Sequence, residues 1–185
     1  MTEAFIPPTV EWVVREPLID ESSAPRVLLL GEGNPYFAGH EDSSYSLYCY
    51  PIGCAGFRLR RILGLAEHQY LGLHRANLCD GAWSKPRAKE RARELLSPHA
   101  PWSVIVMLGR KVTDAMRSAA MIDEDIVPFS TRACCPGQTL VSLPHPSGRN
   151  AALWNVKARD RAREILRGLA PEVPWGSIDI EEPAA

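Results

Sequence analysis

Short runs of consecutive apolar residues do most to limit the folds open to this chain. Residues 27–30, 104–108 and 140–143 are almost entirely Val, Leu, Ile and Met, and longer amphipathic stretches separate them. A strand that is apolar at nearly every position is buried on both faces, which is typical of a parallel sheet covered by helices on each side. The alternation of such runs with helical periodicity therefore predicts an α/β protein.

The pattern predicts four strands and four helices along the chain. We expect a three-layer α/β/α sandwich around a short, mostly parallel four-stranded sheet. The predicted strands are 26–30, 73–78, 104–108 and 140–143, and the predicted helices are 54–65, 85–96, 110–120 and 153–169.

Charge divides the chain into a basic body and two acidic ends. The 185 residues fit one domain with a full core. Residues 1–24 hold five acids against Arg15, and residues 171–185 hold four acids and no base, which leaves 20 basic and 13 acidic residues between them. We therefore expect an acidic N-terminal extension (1–24), one domain (25–170) and an acidic C-terminal tail (171–185). A basic body can face a polyanion, so the net charge of -1 does not exclude nucleic acid.

The cysteines and the apolar content point to a reduced cytoplasmic protein. The five cysteines have no metal-binding spacing, so neither a metal nor a cofactor is expected. Their odd number, and an N-terminus unlike an export signal, favour free thiols in the cytoplasm. No apolar run approaches the roughly 20 residues of a membrane span. We expect a monomer with no membrane partner.

Polar clusters follow three of the predicted strands, at residues 31–36, 77–83 and 145–150. The carboxyl ends of parallel strands meet at one edge of a sheet, where such folds bind their ligands. Asn34 and His145 both lie in turns stiffened by proline, which indicates side chains held for chemistry. Helix capping or turn formation by the same two residues is the alternative.

Other chemistries fit these clusters less well. Gly31 and Gly33 suggest a dinucleotide loop, but Tyr36 occupies the third glycine position of that fingerprint. Cysteine–histidine catalysis has one candidate nucleophile, Cys79.

The segments VLLLGEGNPY (27–36) and VSLPHPSGRN (141–150) resemble the two signature motifs of the uracil-DNA glycosylase superfamily. The late loop is most similar to that of the single-strand-selective branch. The segment PIGCAGFRLRRIL (51–63) instead resembles the thermophile-type, iron–sulfur branches, although their four spaced cysteines are absent here. Asn77 in HRANLCDGAW (74–83) matches the strand-end asparagine that reads the base. The four matches keep the family order.

The resemblance implies roles for the residues that match. His145 would donate a hydrogen bond to the departing base, Asn34 would position the attacking water, and Asn77 would read the base. Because an amide cannot accept a proton, Asn34 predicts slower chemistry than an aspartate would give. The rest of the first loop and two candidate stacking aromatics complete the expected substrate site: Gly31, Glu32, Gly33, Pro35, Tyr36, Tyr48 and Tyr50.

The late loop is expected to contact DNA. Arg149 would fill the gap that a flipped base leaves, and Ser147 with nearby amides would hold phosphates. The expected DNA contacts are Arg58, Lys85, Ser147, Gly148, Arg149 and Asn150. Arg75 is a further candidate for the DNA backbone, whereas Arg163 is expected on a solvated helix face.

The leading hypothesis is a monofunctional DNA glycosylase that removes uracil or a modified pyrimidine and leaves an abasic site. No lysine near the motifs suggests a lyase. The extra Gly33 favours a hypermodified base of phage DNA, whereas Tyr36 opposes it. Two alternatives remain: an inert relative that only binds modified DNA, and an N-glycoside hydrolase of free nucleosides or nucleotides.

Overall fold

The computed structural model describes residues 26–33, 46–50 and 52–178. This part of the chain forms five strands and five α-helices, with one 3₁₀ helix before the last α-helix. In order they are β1 (Val27–Gly33), α1 (Ala55–Leu63), α2 (Glu67–Leu71), β2 (His74–Cys79), α3 (Lys85–Leu95), β3 (Val104–Leu108), α4 (Arg110–Ala119), β4 (Ser130–Cys135), β5 (Gln138–Leu143), the 3₁₀ helix (Gly148–Trp154) and α5 (Val156–Leu169).

The strands form one mostly parallel sheet in the order β2-β1-β3-β5-β4. The expected parallel strands are confirmed, but the predicted count of four is wrong. The fifth strand, β4, pairs antiparallel with β5 at the edge of the sheet. Its sequence STRACC carries no apolar run, and its residues alternate between exposed and partly buried. An edge strand needs no continuous apolar sequence, which is why periodicity missed it.

Two separate cores cover the two faces of the sheet. Alternate residues of β1 point to opposite sides, so Leu29 joins one core and Leu28 the other. The first core packs β1, β3 and β5 against α1, α2 and α5, and the second packs them against α3 and α4. This arrangement gives the three layers expected of continuous apolar strands.

Several element boundaries differ from the sequence prediction. β1 runs through the glycines to Gly33 and does not stop at residue 30. The predicted helix 54–65 ends at Leu63, and a separate short helix, α2, follows it. The last helix begins at Val156, where the side chain of Asn155 caps it by accepting a hydrogen bond from Ala158 N at 3.0 Å.

The packed body extends past residue 170, into the segment identified by its charge as a tail. Val173 and Trp175 are buried in the first core. Trp175 Nε1 donates to the carbonyl of Ala170 at 2.8 Å, and Gly176 N donates to Leu63 O at 2.9 Å. Charge alone placed this boundary too early, because two apolar side chains outweigh the acidic composition around them.

Across the described residues, no helix has the length and apolar character needed to cross a membrane.

Candidate functional site

The carboxyl ends of β2, β1, β3 and β5 lie side by side and form what we call the carboxyl edge. Asn77 in β2 pairs with Gly31 in β1, and a Cβ on Gly31 would collide with the Asn77 side-chain oxygen. Gly109 follows β3, and His145 follows β5 with its Cβ against Gly109. The fold therefore brings Asn77, Gly31 and His145 to one edge, as the sequence predicts.

His145 is half-buried and is fixed by its own loop. Asn150 Nδ2 donates to the His145 carbonyl at 3.1 Å, and Asn150 N donates to Ser147 O at 3.0 Å. Gly109 N donates to Leu143 O at 2.8 Å, which holds β3 and β5 together just before the histidine. Asn150 thus acts inside the loop and sets the backbone at His145.

An ion pair faces His145 from two other elements. Lys111 Nζ, in the first turn of α4, lies 2.6 Å from Glu32 Oε1 at the end of β1. Burial lowers the pKa of His145, Glu32 opposes that effect and Lys111 adds to it. A neutral imidazole with one N–H to donate is therefore favoured at neutral pH.

Lys111 is a residue that sequence reasoning did not place at the site. Its ammonium also lies 5.7 Å from the centroid of the Trp83 ring, in the loop after β2. No lysine was expected to act as a lyase residue, and Lys111 was not considered because it is 79 positions from Glu32 in sequence. One signal was present: a cation in the first turn of a helix opposes the helix dipole and calls for another explanation.

Gly33, the extra glycine of the first motif, has a structural role. It pairs with Cys79, and a Cβ there would lie 2.6 Å from Gly81 O and 3.2 Å from Cys79 O. The added residue lengthens β1 and keeps its end against the loop after β2. Three predicted site residues, Asn34, Pro35 and Tyr36, lie outside the described residues.

Arg58 and Gly148, both expected to contact DNA, lie against each other. The Arg58 guanidinium, from α1, lies against Gly148 in the late loop, with Cζ 3.1 Å from the position of an added Cβ. The neighbouring Arg149 is exposed and Ser147 is half-buried. Lys85 is exposed in the first turn of α3.

The two candidate stacking tyrosines lie near each other, with ring centroids 5.9 Å apart. Tyr50 is turned towards α2, because its hydroxyl donates to Glu67 Oε2 at 2.6 Å, and this hydrogen bond raises the pKa of Tyr50. Leu47 of the same segment reaches Gly31, with Cδ2 3.3 Å from the position of an added Cβ. The segment thus contacts the carboxyl edge through Leu47.

Two arginines have roles other than those predicted. Arg75 was a candidate DNA contact, but its guanidinium donates to backbone carbonyls, among them Tyr70 O at 2.9 Å and Leu71 O at 3.1 Å. Arg163 was expected in solvent, yet its side chain is 12% exposed and its Nε donates to Ile62 O at 2.9 Å. Both satisfy carbonyls at helix ends, which a sequence pattern does not reveal.

The helices that begin at the carboxyl edge bring basic side chains to it. Neither α3 nor α4 has an acidic residue in its first turn, and those turns carry Lys85, Arg87, Arg110 and Lys111. Of these, Arg110 pairs with Asp114 and Lys111 with Glu32. The positive ends of the two helix dipoles add to these charges. Such an edge attracts phosphate groups.

Within the described residues, no three His, Cys, Asp or Glu side chains are grouped to hold a metal ion. No model of a known protein family matches the sequence, and a search of curated proteins finds no match either.

Proposed function

We propose that this protein is a DNA glycosylase that hydrolyses the N-glycosidic bond of uracil or a modified pyrimidine and leaves an abasic site. The observation that carries the proposal is that Asn77 and a neutral His145 lie at the same carboxyl edge of the sheet. Between their strands lie three inter-strand spacings, about 14 Å in all. Within that span, the Asn77 side-chain oxygen lies against Gly31 of β1, and the His145 side chain lies against Gly109 at the end of β3.

The side chains of His145 and Asn77 suit two different tasks on a pyrimidine base. Breaking an N-glycosidic bond leaves negative charge on the base, and a preorganised N–H of His145 stabilises it. The carboxamide of Asn77 both donates and accepts, so it pairs with the polar edge of a pyrimidine and disfavours other bases. Asn34 is proposed to position the attacking water from the opposite face of the sugar.

The basic first turns of α3 and α4 at the carboxyl edge favour DNA over a free nucleoside as the substrate. A nucleoside offers no phosphate to the first turns of α3 and α4, whereas a DNA strand offers several. Arg149 is exposed at the tip of the loop that carries His145, so it can follow a flipped base into the duplex. We further propose a cytoplasmic monomer, since the cysteines are free thiols.

The test is base release from oligonucleotides, read as strand breakage after alkali. Single- and double-stranded substrates would carry uracil or a 5-modified pyrimidine. We expect His145→Ala to slow release about 100- to 1,000-fold, as loss of a transition-state donor does. His99→Ala, at an exposed histidine outside the site, is the matched control.

The outcomes separate the three functions. Retained DNA binding with no release on any base would favour the inert binding relative. Equal cleavage of free nucleosides, unaffected by salt or by Arg149→Ala, would favour the nucleoside hydrolase. A DNA glycosylase instead loses rate steeply with added salt.

A further inference from the structure

We propose that Lys111 gives the site a second activity, in which its amine forms a Schiff base with the abasic sugar and cuts the DNA strand by β-elimination. The inference rests on the proposed function for the origin of the abasic site. It goes beyond that function because base removal alone leaves the strand intact.

Lys111 is accessible and held in place at the carboxyl edge. Its side chain is 59% exposed, and its ammonium lies between the Glu32 carboxylate and the Trp83 ring. The start of α4 is fixed by Thr113, whose hydroxyl donates to Gly109 O at 3.1 Å and lies 3.2 Å from Ser142 Oγ. The amine is therefore directed to the same edge as His145.

A structural role does not account for a lysine at this position. An exposed ion pair such as Lys111–Glu32 adds little to stability. The chain also prefers arginine: of its 21 basic residues only four are lysines. An arginine would pair with Glu32 equally well, but only a primary amine can form an imine.

Glu32 provides the proton acceptor that such a reaction needs. Its carboxylate takes a proton from the Lys111 ammonium, and the freed amine adds to C1′ of the open-chain aldehyde. The carboxyl group returns that proton as water leaves and the iminium forms. The carboxylate then removes a C2′ proton, the C3′–O bond breaks, and the downstream strand departs with a 5′-phosphate. Glu32 releases the C2′ proton to solvent.

Water then hydrolyses the conjugated iminium. This step frees Lys111 and releases an unsaturated aldehyde on the upstream 3′ end. No oxidant or reductant is consumed, and the water lost when the imine forms balances the water used here.

The test uses DNA with a preformed abasic site, so it does not depend on base removal. Wild-type protein with sodium borohydride is expected to give a covalent protein–DNA adduct, and without borohydride to nick the strand in the absence of alkali. Lys111→Arg keeps the charge but is expected to abolish both signals. Lys89→Arg, on the exposed face of α3, is the matched control and should trap as wild type does.

Two further results would strengthen or overturn the assignment. Peptide mapping of the adduct should find it on Lys111, and Glu32→Gln should slow trapping by about 100-fold, as loss of a general base does. An adduct on another amine, or unchanged trapping by Lys111→Arg, would overturn the proposal. Base release without trapping would refute the lyase alone, whereas trapping without base release would refute the glycosylase alone.

Discussion

Residues of the same charge have different roles in this protein, according to what surrounds them. Arg75 satisfies backbone carbonyls between α2 and β2, whereas Lys85 extends from α3 into solvent. Both were candidate DNA contacts on charge alone. The difference lies in the number of unpaired carbonyls within reach, and only the folded chain determines that number.

The charges around His145 provide a prediction at this scale. Glu32 raises the pKa of His145, so Glu32→Gln should lower it further below its ordinary value. Lys111 lowers that pKa, so Lys111→Met should raise it. NMR titration of the His145 ring protons in the three proteins measures both shifts. Shifts in the same direction would contradict the arrangement of the ion pair.

The lowered pKa of His145 also sets the direction in which activity should change with pH. Base release needs the neutral imidazole, so the rate should fall only as pH drops through the lowered pKa of His145. The acid limb of the profile is therefore expected below about pH 6.5, the ordinary value for histidine. Glu32→Gln should move this limb to lower pH, and Lys111→Met to higher pH.

Among the elements, the end of β1 and the edge strand β4 differ most from what the sequence predicted. β1 continues through Gly31 and Gly33, which sequence patterns treat as strand breakers. Both glycines permit close contacts, with Asn77 and with the loop after β2. The edge strand β4 was missed because it lies against only one neighbour, so its burial imposes no apolar run.

Gly109 is the element boundary on which the position of His145 depends. Its φ of +93° disfavours any side chain, and an added Cβ would lie 2.9 Å from His145 Cβ. We expect Gly109→Ala to cost about 1–3 kcal/mol in the free energy of unfolding and to displace the histidine, so that base release falls as well.

Gly137 offers a control, because its backbone strain is similar but no atom lies close to an added Cβ. Its φ is +79°, and nothing lies within 4 Å of an added Cβ. Gly137→Ala should therefore lose stability while base release stays at the wild-type rate. Denaturant unfolding and the alkali assay together measure both effects. An active Gly109→Ala protein would show that the contact with His145 is dispensable.

Across the whole molecule, charge and packing follow different boundaries. The acidic residues of the C-terminal segment suggest a solvated tail, yet Trp175 and Val173 complete the first core. The basic residues are likewise divided between the carboxyl edge and structural positions such as Arg163. Net charge over the chain therefore describes neither the folded body nor the surface that faces a partner.

This division predicts unequal effects within the C-terminal segment. Trp175→Ala removes a buried ring and its hydrogen bond to Ala170, so it should cost about 3–5 kcal/mol in the free energy of unfolding. Glu172→Ala changes an exposed charge and should stay within about 0.5 kcal/mol of wild type. Urea unfolding of both variants measures the difference. Equal stabilities would mean that the segment contributes by charge and not by packing.

The sequence by itself determined the parallel sheet, its two covered faces and the edge at which polar residues meet. These follow from continuous apolar runs, because a strand buried on both faces has few other architectures open to it. The placement of Asn77 and His145 at one edge was predictable for the same reason, since the ends of parallel strands share an edge.

Only the tertiary structure decided which charges face that edge. Lys111 reaches Glu32 because α4 packs against β3 and β1, and Arg75 is drawn away from the surface by the carbonyls at the end of α2. Such contacts join residues far apart in sequence, and no local pattern encodes their distance. Periodicity determines how an element is buried, but the packing of elements determines which side chains share a site.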